Sequence, residues 1–197
     1  MEKEDVKMLF SIARGSVEEV LFGKEFVIKE EIKSKFSEKR GVFVTLKYHK
    51  TEELRGCIGF PYPEFPLWEA VYLSAREAAF NDPRFPPLKK EEYKGIIFEI
   101  SILTPPKRLE VKDPREYLEK IKIGRDGLIV RYGSFSGLLL PQVPVEEGWD
   151  VEKFLDFTCW KAGLPFKSWL DRRVEVYTFQ AEVWREKEPF GDIERVM

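Results

Sequence analysis

The sequence predicts an α+β fold, a mainly antiparallel sheet covered by helices, arranged as two unequal lobes. Three observations lead there. Segments of period two and segments of period near 3.6 follow one another irregularly instead of alternating strand by helix. An Asp-Gly step signals a hairpin, and one strand-like run is apolar on nearly all of its surface. A doubly wound sheet would need regular alternation. With 197 residues, 43% hydrophobic, the chain can bury a substantial core as one large domain or two small ones.

Val6, Leu9, Phe10, Ala13, Val17, Val20 and Leu21 recur at three- and four-residue steps and predict a helix over 4–22, stopped by Gly23. A charged segment at 29–37 predicts a shorter one. From Gly41 to Tyr48, Val42, Val44 and Leu46 alternate with Phe43, Thr45 and Lys47, the period of a strand. Prolines and aromatics at 60–66 impose an extended loop. Pro66 suits the first turn of a helix whose small-residue stripe, including Ala70, Ser74, Ala75 and Ala78, runs to Phe80. Asn81-Asp82-Pro83 ends it.

Residues 95–104 predict a strand buried on both sides. Asp113-Pro114-Arg115-Glu116 reads as a capped helix start. Gly124-Arg125-Asp126-Gly127 reads as a hairpin turn ahead of Leu128, Val130 and Tyr132, with a further strand near 137–141. Asp150 caps a helix with Phe154, Leu155, Thr158, Cys159 and Ala162 inward and Gly163 as its stop. Val174–Trp184 reads as one long closing strand. The stretches 60–66 and 81–94 interrupt the pattern, which is compatible with one domain over 1–197 built as two lobes, and the sequence does not place the boundary between them.

Thirty-three Lys and Arg against 35 Asp and Glu leave a net charge of -2, which argues against a nucleic-acid partner or an anionic lipid surface. No apolar run has the roughly 18 residues of a membrane span. The acidic start, Met1 to Asp5, resembles neither a signal nor a transit peptide, so a cytoplasmic location is expected. One Asn, two Gln and 27 Glu among the 35 acids make a thermophile-like composition. Oligomerisation is left open.

The most pointed segment is Leu54-Arg55-Gly56-Cys57-Ile58-Gly59. A cysteine between two glycines sits where the backbone can bend sharply and approach a ligand, and a nearby guanidinium would favour the thiolate. Against this, cysteine is commonly buried and Ile58 wants a core. Cys159, on an apolar helix face, reads as core. His49, the single histidine, follows a strand and reads as a turn residue. Asp82 and Arg84 flank Pro83 in a rigid loop able to present an anion clamp, or simply a capped turn with a salt bridge. Gln142 needs a partner if buried. Two cysteines and one histidine cannot form a four-ligand Cys/His zinc site, so no metal is assigned. Phosphate-loop, dinucleotide, nucleophile-elbow and zinc-enzyme motifs are missing, and no cofactor is indicated.

The hexapeptide 54–59 resembles the signature of the AMMECR domain family. The likeness continues through 41–46, 75–79, 82–87, 99–104, 123–128, 139–143, 148–150 and 161–164 in the family's order. The resemblance implies an α+β fold of two lobes with a cleft, and possible partners that are Memo-like and radical SAM proteins. It brings no agreed reaction. The leading expectation is a groove binding a small polar ligand, with Cys57 as nucleophile or redox group and Arg55 as its support. Gly56, Gly59, Asp82, Arg84 and Gln142 would line it. The alternative is a protein-interaction module without chemistry, docking through the 60–66 loop, in which 54–59 is a structural turn.

Overall fold

A computed structural model describes all residues, 1–197. The chain forms two compact units, residues 1–103 with 182–197 and residues 104–181. The stretches 60–66 and 81–94, which interrupt the sequence pattern, both lie inside the first unit. The crossings follow Leu103 and Ala181, where strands simply continue into the next segment and composition carries no break.

The first unit runs α1 (Lys3–Phe22), α2 (Glu30–Lys35), β1 (Gly41–Tyr48), β2 (Leu54–Phe60), α3 (Leu67–Phe80), α4 (Lys90–Tyr93) and β3 (Ile96–Leu103). The second unit holds β4 (Lys107–Arg108), α5 (Tyr117–Lys120), β5 (Gly127–Tyr132), β6 (Phe135–Leu139), α6 (Val143–Glu146), α7 (Val151–Lys161) and β7 (Glu175–Phe179). β8 (Ala181–Glu186) and β9 (Ile193–Arg195) then complete the first.

Its sheet has the order β2-β1-β3-β8-β9, so β2 is an edge. β1 is antiparallel to β2 and β3, with Val44 opposite both Ile58 and Ile100, and Thr45 opposite both Cys57 and Glu99. Alternation therefore gives the sheet two unlike faces. Val42, Val44, Leu46, Phe98, Ile100 and Ile102 join the core formed with α1 and α3. Each such fully buried aliphatic side chain contributes about 2 kcal/mol. Thr45, Glu99 and Ser101 occupy the opposite face, also buried. Alanines on α3 let that helix lie close on the sheet. α1 ends as expected, Gly23 being left-handed at φ 67°.

The second unit carries a four-stranded sheet of order β4-β7-β5-β6. Two sequence expectations change here. The hairpin joins β5 to β6 across Gly133-Ser134, with Tyr132 opposite Phe135, and no strand precedes the Asp-Gly step. Asp126 instead closes that turn, accepting from the Lys122 amide at 2.9 Å and pairing with Arg125. The supposed single strand 174–184 is two strands in two sheets, β7 and β8. At Gln180 the chain changes partners, bonded both ways to Thr104. α7 behaves as read: Asp150 accepts from the Lys153 amide at 2.8 Å, and Phe154, Leu155 and Cys159 are buried.

Candidate functional site

The segment 54–59 is not a bend. It is the edge strand β2, in continuous register with β1 from Gly56 to Phe60 and shifted by one residue at Arg55, and neither Gly56 nor Gly59 has a positive φ. The glycines serve close packing. A Cβ on Gly56 would lie 2.1 Å from the Ala78 carbonyl oxygen of α3, and one on Gly59 would lie 2.1 Å from that of Val42. Both positions are thus filled by the protein's own backbone.

Period two places Gly56 and Ile58 toward α3 and the core, and Cys57 on the opposite face. There Cys57 forms the end of a row across three strands with Thr45 and Glu99. The Thr45 hydroxyl donates to Cys57 Sγ at 3.2 Å. Lys47 Nζ lies 3.6 Å from Glu99 Oε2. Thr45 and Glu99 are 5% and 6% exposed, and Cys57 taken as a whole residue is half-buried.

The loop after α3 brings Asp82 and Arg84 to the free edge of β2. The buried Asp82 carboxylate accepts from the Cys57 amide at 2.9 Å, from Arg84 Nη2 at 2.6 Å and from Arg84 Nε at 2.9 Å. Arg84 Nη2 also donates to the Cys57 carbonyl at 3.3 Å. Burial works against ionising Asp82, but Arg84 and the two backbone amides outweigh it and hold the carboxyl at about 2. The clamp is largely occupied from within: only Nη1 of Arg84 takes no part in these bonds.

Arg55 does not support the sulfur. It is 2% exposed, donates through Nε to Glu92 at 2.9 Å and through Nη2 to the Pro86 carbonyl at 2.8 Å. Tyr48 donates to the same Glu92 at 2.7 Å. This network ties β2 to α4 and the 86–92 segment, and its charges are matched internally. Burial pushes the Cys57 thiol up, more than the Thr45 hydroxyl and the Arg84 charge bring it down; Glu99 and Asp82 push it further up. Cys57 is therefore a neutral thiol near pH 7, where a guanidinium-stabilised thiolate was expected. Cys159, in the core of the second unit, is raised to about 11 by burial.

Gln142 belongs to the second unit, just before α6. His49 sits in the β1–β2 turn, four residues beyond Thr45, so the strand carries it roughly 13 Å from the sulfur row. No three His, Cys, Asp or Glu side chains converge as metal ligands. No helix is long and apolar enough to cross a membrane. Thr45 and Glu99 escape sequence reasoning as site residues. Their strands were legible, but the cross-strand register that aligns them with Cys57 was not.

A model of the AMMECR1 family matches residues 10–184. A Nanoarchaeum equitans protein is 54% identical over 90% of this chain and 98% of its own length. A Methanocaldococcus jannaschii protein is 55% identical over 92% of this chain and 90% of its own. The crystal structure of an uncharacterized Pyrococcus horikoshii protein superposes with a TM-score of 0.93 at 50% identity, covering 99% of this chain and 98% of that one.

Proposed function

The chain belongs to the AMMECR1 family, and we propose that the β2 sheet face binds a small polar ligand, with Cys57 as its reactive group. One observation carries this reading: a thiol, a hydroxyl and a carboxylate are aligned across β2, β1 and β3 on the face that the hydrophobic core does not use. Burying such groups costs free energy that folding alone does not require. In this reading Cys57 meets the ligand as an S–H group, Thr45 orients the sulfur, and Arg84 Nη1 offers a cationic donor at the rim. Asp82, Gly56 and Gly59 set the strand's position, and Arg55 stiffens it from beneath Phe85 and Pro86.

The contrasting reading, a docking module acting through the 60–66 loop, has less to support it. The Phe60 and Phe65 rings pack edge to face at 4.9 Å, and both Phe65 and Ile58 pack against the core. Those rings are spent internally. The test is extraction of small molecules from purified protein, followed by mass spectrometry. A compound retained by the wild type and lost from both Cys57→Ala and Thr45→Val is expected. Identical extracts from all three proteins would refute the site.

A further inference from the structure

A second site lies at the other end of β1. The β1–β2 turn, the α4–β3 junction and the β8–β9 loop enclose an open groove of about 680 Å³, lined by Tyr48, His49, Lys50, Glu53, Lys94 and Pro189, among others. That volume is within the range of small-molecule sites, roughly 300–1,000 Å³. We propose that this groove binds a small phosphorylated metabolite, with Lys50, Lys94 and His49 holding the phosphate.

The two lysine donors are free. Neither Lys50 nor Lys94 is held by a carboxylate of this chain, although both line the same groove and both are exposed. His49 Nδ1 is sealed from solvent with no hydrogen-bond partner. Nε2 is therefore the ring nitrogen left to meet a ligand in the groove that His49 lines with the two lysines. Glu53 is the one carboxylate in the lining, and the Thr51 hydroxyl donates to it at 3.0 Å. Two unpaired cations in one groove favour a dianion over a monoanion.

The walls accept the rest of the molecule. Tyr48 has its hydroxyl committed to Glu92 at 2.7 Å, so its ring and Pro189 offer apolar surface to a short carbon skeleton. The turn is fixed from behind, because the His49 amide donates to the Gly95 carbonyl at 2.9 Å and Tyr48 and Glu53 pair across it. A preformed groove loses little entropy on binding.

His49 is the single histidine, so its imidazole proton signals report on the groove without assignment. We would titrate the full chain with glycerol 3-phosphate at fixed pH and ionic strength, using glycerol and glycerate as controls. A saturable shift with the phosphate ester, absent with glycerol and at least tenfold weaker with glycerate, is expected. The double variant Lys50→Ala/Lys94→Ala should weaken it at least tenfold, with an unchanged melting temperature. A linear drift, saturation at equal concentrations of glycerate, or undiminished binding by the double variant would overturn the proposal.

Discussion

Asp82 grips Cys57 by its backbone amide and makes no hydrogen bond to the thiol. The Cys57 amide donates to Asp82 Oδ2 at 2.9 Å, and Arg84, anchored on that carboxylate, returns a bond to the Cys57 carbonyl at 3.3 Å. β2 is a sheet edge, whose outward N–H and C=O groups would otherwise lack partners. The two side chains together stand in for the missing strand at this one residue.

Removing the carboxylate should therefore cost more than a surface ion pair would. Asp82→Ala leaves an amide unpaired and a guanidinium without its counter-ion, and a loss of about 3 kcal/mol is expected. Asp82→Asn, which keeps an acceptor, should lose less. Urea denaturation checks both; a loss below about 1 kcal/mol for the alanine variant would contradict the edge-cap role.

Acid should undo the same contact. Burial opposes ionisation of Asp82, yet Arg84 and the backbone donors hold it at about 2, below its ordinary 3.8. The folded-state pKa is the lower one, so the stabilisation is complete above roughly pH 4 and fades as pH falls through 2, by about 2 kcal/mol in all. Glu92, whose bond to Arg55 outweighs its own burial, is likewise held at about 2 and loses its contribution in the same window. Urea midpoints measured from neutrality downward should fall most steeply there. The slope should flatten in Arg84→Gln.

Thiol chemistry separates the two arginines. Iodoacetamide should alkylate Cys57 slowly at neutral pH and faster as pH rises, because burial holds its thiol above the free value. Removing the favourable charge in Arg84→Ala should shift that profile to still higher pH. Arg55→Ala should leave its midpoint in place, since Glu92 already neutralises Arg55. Rapid alkylation of wild-type protein with a profile centred below neutrality would show a thiolate instead.

Gly56→Ala should be far more damaging than its size implies. The added methyl would sit 2.1 Å from the Ala78 carbonyl oxygen, a backbone atom of α3 that cannot rotate away. Helix and strand would have to separate, costing about 3 kcal/mol or more. A melting temperature within a degree or two of the wild type would rule out this contact.

Much of the local structure was legible because it rests on local physics. The α1 stripe and its Gly23 stop, the alternation of β1, the alanine face of α3 and the Asp150 cap were all readable from residue spacing. Spacing failed where the answer depended on a distant partner. The glycines of β2 resembled a bend because a close approach to a neighbouring backbone, α3 at Gly56 and β1 at Gly59, and a tight turn ask for the same residue. Arg55 resembled a thiolate's neighbour because Glu92, which claims it, lies 37 residues away. Residues 174–184 resembled one strand because alternation is indifferent to which sheet supplies the hydrogen bonds.

The order of residues alone determined the class of fold, the family and the elements that face a hydrophobic core, since each follows from periodicity or from a long run of matching positions. Only the tertiary structure decided the company Cys57 keeps. Strand register, which a sequence encodes only through distant contacts, set Thr45 and Glu99 in line with the sulfur and turned Asp82 onto its amide.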